Sequence, residues 1–536
     1  MVIVRTASAV GVRVAVAVAV AVVVMLLEVL LAAAHPASTS AVHARAVGTR
    51  ARIPGIVRRW HDGPVPDRLS PLDASFLYLE EPTTAMHVGS VLVFEAPAEG
   101  FDYDQLVALV SARIAYVPRY RQRVRAVPGR LANPVWVDDE SFDVAYHVRR
   151  SALPRPGGDD QLYELVGRLQ ARPLDRARPL WELYLVEGLG GGRFAIITKT
   201  HQALVDGVNA VDIAQVILDD TPESPDPPPD TWTPAPEPSD LELVAGALAD
   251  VVRSPGQLLD AARAGTSDVA ATAGRVVGQL GHLVSAAART AARPTPTSPL
   301  NASIGEHRRF AVATTSLQDH RAVRARRRGK RAERPNVNDV VLATVAGGLR
   351  SWLLTRGQPV VPSTVVRVLV PVSVEPTDEE AAHRIGNRMA ALVVDLPVGE
   401  PNPSIRLHQI AYALREHGET GRAVSASTLV GIAGFAPPTL HALGARVASA
   451  ASRRLFNLVV TNVPGPQHPL YAAGARMLAS YPVIPLAKGQ ALSIGLTSYD
   501  GNVYYGLNAD RDAMPDVQVL AGCLVDALAE LVETVG

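Results

Sequence analysis

The sequence predicts a mixed α/β protein: two α/β halves joined by a long helical connector and preceded by a hydrophobic N-terminal extension. Three observations lead there. From Leu69 onward, short runs rich in β-branched and apolar residues alternate with stretches whose apolar residues have helical spacing. A proline-rich break at Thr221–Asp240 interrupts this pattern, which resumes after a second proline cluster at Pro294–Pro299. The 536 residues accommodate at least two domains, at roughly 100–200 residues each. The resulting division is an extension over 1–66, a first domain over 67–220, a connector over 221–300 and a second domain over 301–536.

In the first half, Gly89–Phe94 and Phe194–Thr200 read as strands, and Phe101–Val117 and Gln161–Gln170 as helices. Leu241–Ala292, rich in Ala, Val and Leu, reads as two or three amphipathic helices of the connector. In the second half, Asn338–Leu354 has helical spacing, and Val365–Val374 and Met389–Leu396 suit buried strands. Leu492–Thr497 and Asn502–Asn508 flank an Asp500-Gly501 pair that marks a tight hairpin.

Composition narrows the function classes. At 48% hydrophobic residues the chain is too apolar to be disordered, and 52 basic against 52 acidic side chains argue against a dedicated nucleic-acid binder. The single cysteine, Cys523, excludes an internal disulfide and a cysteine-built zinc site. Near the N-terminus, Val14–Leu27 is an unbroken apolar run, preceded by Arg5 and Arg13 and followed by Glu28. A secretory signal, a short anchor that keeps the body cytoplasmic and a start assigned too far upstream all fit, and all three stay open.

One stretch carries candidate chemistry: Thr200-His201-Gln202-Ala203-Leu204-Val205-Asp206-Gly207, between a strand and a helical pattern. Polar residues at such a junction are where α/β proteins place reactive groups, although Asp206 as a helix cap and His201 as a core histidine are the bland alternatives. The sequence carries no phosphate-binding glycine loop, metal-ligand cluster or Gly-x-Ser-x-Gly elbow.

This stretch resembles the His-His-x-x-x-Asp-Gly motif of the wax ester synthase/diacylglycerol acyltransferase family, among the CoA-dependent acyltransferases. Further segments are similar to that family in its order: Leu69-Ser70-Pro71-Leu72-Asp73-Ala74-Ser75-Phe76, Met86-His87-Val88-Gly89, Phe142-Asp143 with His147, and Arg178-Pro179-Leu180-Trp181-Glu182. In the second half Asn338-Asp339, Gly386-Asn387-Arg388 and Asn462-Val463-Pro464-Gly465-Pro466 also fit. The resemblance implies two chloramphenicol-acetyltransferase-like domains and transfer of a fatty acyl group from acyl-CoA to diacylglycerol, with long-chain alcohols as further acceptors. It implies no cofactor beyond acyl-CoA as co-substrate; since acyl-CoA is made in the cytosol and diacylglycerol resides in membranes, a cytoplasmic protein peripheral to the inner membrane or a lipid-droplet surface is expected, and the balanced charge predicts no nucleic-acid partner.

Carried over by resemblance, the catalytic candidates are His201, Gln202, Asp206 and Asn338. The substrate-binding candidates are Gly207, Asp339, His87, Trp181 and Arg388, with packing the alternative for Trp181. The chain departs from the motif where the family keeps its general base: Gln202 stands there instead of histidine. A carboxamide does not take a proton at neutral pH, though it can bond a hydroxyl or an oxyanion. An acyl-CoA-binding member with impaired catalysis is therefore the alternative function. His201 can replace the base only if the strand ends or bulges at Thr200, because adjacent strand residues face opposite sides. His87 and His383 are further candidate bases. The basic run Arg321–Arg334 reads as a solvated helix face, or as attraction to anionic headgroups or CoA phosphates.

Overall fold

The computed structural model describes residues 66–205, 213–224, 229–253, 295–296, 298–326, 335–373, 389–419, 424–425 and 456–535. The readings placed on the N-terminal apolar run, Asp206, Gly207, residues 327–334 of the basic run, His383, Arg388 and the connector over 254–294 lie outside them. Among the described residues, no helix is long and apolar enough to cross a membrane.

The first half contains α1 (Pro71–Leu79), β1 (His87–Glu95), α2 (Tyr103–Arg113), β2 (Gln122–Arg125), β3 (Val135–Asp138), β4 (Val148–Ala152), α3 (Asp159–Gln170), β5 (Trp181–Leu189) and β6 (Arg193–His201). Helix α4 (Asp240–Arg253) opens the connector. The second half contains β7 (Arg308–Ser316), α5 (Leu317–Arg326), α6 (Val337–Thr355), β8 (Val366–Ser373), β9 (Met389–Leu396), α7 (Pro403–Glu419) and β10 (Val424–Ser425). It continues with β11 (Leu458–Pro464), β12 (Tyr471–Ala472), β13 (Ala475–Val483), β14 (Leu492–Tyr499), β15 (Asn502–Asp510) and α8 (Val517–Val535).

Two large mixed sheets organise the molecule. The first has the order β12-β13-β1-β6-β5-β4 and the second β10-β9-β8-β11-β14-β15-β7. The halves are not separable along the chain: β12 and β13 come from the second half in sequence but extend the first sheet, β13 pairing antiparallel with β1 from Gly89↔Val483. Two buried cores follow from this, and Ala475, Met477 and Val483 belong to that of the first half. Arg113 and Asp219 form a buried pair at 2.8 Å, and the Asp219 and Tyr471 backbones bond each other, fixing β12 from the first half.

Local chemistry explains the elements nearest the site. Ser70 caps α1 by accepting the Asp73 amide, with Pro71 in the first turn, where a missing N–H costs nothing. Gly89 in β1 lies where a Cβ would fall 2.1 Å from the Thr198 carbonyl oxygen and 2.8 Å from the Gln170 side chain, so α3 can end tight against the sheet. The predicted hairpin is present: Asp500 and Gly501 take φ of 41° and 83° between β14 and β15.

Candidate functional site

Strand β6 keeps a regular ladder with β1 to its last residue, His87↔His201, with Gly89↔Lys199 next. The strand thus runs one residue further than expected and has no bulge at Thr200. His201 lies on the face shared by His87 and Lys199, and one helical turn, Gln202–Val205, begins immediately after it.

His201 is fully buried. Its Nδ1 accepts the Ala203 backbone N–H at 3.1 Å, so the neutral ring carries its proton on Nε2, which lies 3.8 Å from Glu80 Oε1. Burial pushes the imidazole down to about 4, against the attraction of Glu80. At neutral pH one ring nitrogen is occupied as an acceptor and the other holds a proton. The strand does not break at Thr200, and in this geometry the Nδ1 lone pair is engaged by the Ala203 amide.

Glu80 is the organising carboxylate. Oε1 accepts the Met86 amide at 3.2 Å, and Oε2 accepts from Arg176 Nε and NH2 at 3.0 and 2.6 Å. Burial alone would raise its carboxyl, but the His201 ring and Arg176 outweigh that and hold it below its usual value. Arg176 also donates to the Leu77 carbonyl at 2.8 Å, covering the C-terminal end of α1. Neither Glu80 nor Arg176 is among the sequence candidates. The available signal was an acidic pair, Glu80-Glu81, directly after a helix, where the dipole disfavours negative charge.

Gln202 is 2% exposed, and neither carboxamide atom has a hydrogen-bond partner among the described residues. Its backbone N–H is held by the Met86 carbonyl at 2.9 Å. An unpartnered buried carboxamide is costly, by roughly 1–3 kcal/mol per lost bond. Here it offers one acceptor and one donor at the position of the motif base.

His87 Nε2 donates to the Gln170 carbonyl at 2.7 Å and so covers the end of α3. Its Nδ1 is buried without a partner, but burial and the charges of Lys199, His201 and Arg308 keep the ring well below its ordinary value. Lys199, pushed down to about 8 by burial, donates to the Arg172 carbonyl just past the same helix. His87 is thus a helix-end donor whose protonation burial disfavours. Trp181 is packed as closely. It is fully buried, donates from Nε1 to the Tyr120 carbonyl at 2.8 Å and stacks on His147 at 4.5 Å, which makes it a packing anchor.

The second half contributes amides. Asn462, near the end of β11, donates to Asn338 Oδ1 at 3.2 Å, joining two motifs 124 residues apart. Asp339 serves the fold: its Oδ2 accepts the Asn336 amide while Asn336 Oδ1 accepts the Asp339 amide, a reciprocal cap of α6. Its Oδ1 is buried without a partner, and burial raises the carboxyl. No hydrogen bond or ion pair among the described residues joins Gln202 to Asn338, so the two clusters are separate in the described contacts.

Comparisons with known proteins bear on the family and the fold. The wax ester synthase/diacylglycerol acyltransferase catalytic domain matches residues 69–341, and the C-terminal domain of the same family matches 385–532. The chain is 34% identical over 469 residues to the probable diacylglycerol O-acyltransferase tgs1 of Mycobacterium tuberculosis, covering 87% of this chain and 96% of that one. It is 49% identical over 260 residues to the probable diacylglycerol O-acyltransferase tgs3 of the same organism, covering 48% of this chain and 96% of the other. Among solved structures it is similar to the wax ester synthase/diacylglycerol acyltransferase of Marinobacter aquaeolei, with a TM-score of 0.62 and 29% identity over 88% of this chain and 100% of that one. A condensation domain of the calcium-dependent antibiotic synthetase shares the fold, with a TM-score of 0.52 at 16% identity, covering 88% of this chain and 97% of that one. By sequence across both halves and by fold, this chain belongs to the wax ester synthase/diacylglycerol acyltransferase family.

Proposed function

We propose that the protein is an acyl-CoA-dependent O-acyltransferase that esterifies diacylglycerol to triacylglycerol, with long-chain alcohols as further acceptors giving wax esters. Family membership supports the reaction class, and the unpartnered carboxamide of Gln202 is the observation that supports the site. The acceptor hydroxyl oxygen attacks the thioester carbonyl carbon, the C–O bond forms, the C–S bond breaks, and the hydroxyl proton ends on the released thiol. Gln202 Oε1 accepts from the hydroxyl, and its Nε2 donates to the developing oxyanion. His201, neutral and buried, is a positioning residue for that turn. Asn338, Asp206 and Gly207 are supporting positions carried over from the family motif, and Arg388 is a candidate substrate contact on the same basis.

Loss of a general base removes roughly 10²–10⁴-fold of rate, whereas holding the two substrates together accelerates the reaction separately and by more. The expected enzyme is slow but active. The test supplies purified protein with a long-chain acyl-CoA and diacylglycerol, and follows thiol release together with triacylglycerol formation. Absence of both in the wild type, with both present in Gln202→His, favours the second reading, acyl-CoA capture without turnover. The replaced motif histidine is the observation that favours that reading. For access to diacylglycerol we propose a peripheral site on a membrane or lipid-droplet surface, testable by flotation with diacylglycerol-containing vesicles.

A further inference from the structure

We propose that Glu80 is a positioning residue of the acyl-transfer site, holding the Gln202 carboxamide in place through the backbone of Met86. The route runs through the loop before β1. Glu80 Oε1 accepts the Met86 amide at 3.2 Å, and the Met86 carbonyl accepts the Gln202 amide at 2.9 Å. The neutral His201 ring packs beside the same carboxylate without a hydrogen bond to it, Nε2 lying 3.8 Å from Oε1, and its Nδ1 accepts the Ala203 amide at 3.1 Å. The backbone amide of Gln202 is therefore fastened through one carboxylate, and the ring that holds the next amide packs against it. Both amides belong to the first turn after a strand, where no intrahelical carbonyl is available to hold them.

The carboxylate is itself fixed. Arg176 grips Oε2 with two donors, and the next residues are tied to the second half of the molecule. Lys488 pairs with both oxygens of Glu81 at 2.8 and 2.7 Å, and Arg308 donates to the Thr83 carbonyl. A site group whose own side chain has no partner depends on such backbone anchoring for its direction. This role rests on the acyl-transfer reading of Gln202.

The test compares wild type, Glu80→Ala and Glu80→Gln, the last keeping an acceptor for Met86. Amide exchange read by mass spectrometry should show protection at Gln202 and Ala203 falling at least about tenfold in Glu80→Ala, with Ile196 and Ile197 of β6 unchanged. In the same variant kcat should fall between about 10- and 100-fold, the scale of a misplaced reacting group. KM for acyl-CoA should stay within about twofold, and Glu80→Gln should recover most of both losses. Unchanged protection at 202 and 203, or an equal loss along all of β6, overturns the proposal. So does a selective loss of protection with wild-type kcat. If wild type makes no ester, the acyl-transfer reading fails; the exchange data then still decide whether Glu80 anchors the turn.

Discussion

The end of β6 and the start of α6 are the two places where family motifs gather, and they are built from different chemistry. At the first, a buried imidazole and a buried carboxylate, the latter gripped by the exposed Arg176 guanidinium, lie next to the turn that carries a carboxamide with no partner. At the second, carboxamides bond carboxamides, and the one carboxylate, Asp339, is held in a helix cap. Charge in a low-dielectric setting couples geometry to protonation, whereas neutral amides hold the same geometry across a wide pH range. The first cluster therefore loses stability as the pH falls through the His201 range, whereas the raised carboxyl of Asp339 acts in the opposite direction at the second.

The largest expected effect sharpens this contrast by placing a titratable group at the uncharged position of the first cluster. Gln202→His should raise kcat for thiol release by about 10²–10⁴-fold, and the gain should vanish below the pKa of the new imidazole. An unchanged rate would mean that the residue does not face the reacting hydroxyl.

Next comes pH itself. His201 sits near 4 in the folded protein against 6.5 when exposed, so between those values the opened state binds more protons. Stability of the turn is therefore complete above about pH 6.5 and is lost as the pH falls toward 4, by up to about 3 kcal/mol. Protection of the Ala203 amide should drop about 100-fold over that interval. Protection of the Asp339 amide, held by the neutral Asn336 side chain, should not follow it. Equal behaviour at both amides would break the comparison.

Smaller effects separate packing from binding. Trp181→Phe loses the bond to Tyr120 and part of the stack on His147, and should cost about 1–3 kcal/mol in urea unfolding while leaving KM for acyl-CoA unchanged. Asn336→Ala removes the α6 cap and should cost about 1 kcal/mol in the same unfolding measurement.

What was legible in the sequence was local. The Asp500-Gly501 hairpin and the strands around Gly89 and Ile196 follow from residue preferences over a few positions, and the structure has each of them, while α6 starts one residue earlier than expected, at Val337 behind the Asn336 cap. The motif stretch drew the eye to Gln202, whose unpartnered carboxamide is the site's most unusual feature. What was not legible was long-range. The pairing of Glu80 with Arg176 spans 96 residues, and no spacing rule reports it. His201 reads as a base because histidine residues often are. Only the register of β6 and the Ala203 amide reveal that its lone pair is already used. Strand β13 alternates poorly between buried and half-exposed positions, so its membership of the first sheet could not be read from Ala475–Val483 alone.

That strand sets a timetable for synthesis. The side of β1 that β13 occupies stays unsatisfied until the ribosome has passed Val483, nearly four hundred residues after His87 has been made. The early segment must therefore wait with an open sheet edge, the kind of surface that recruits stray chains. A cell making this protein would need to shield that edge in the interval, and fragments stopped before Ala475 should be the ones that precipitate.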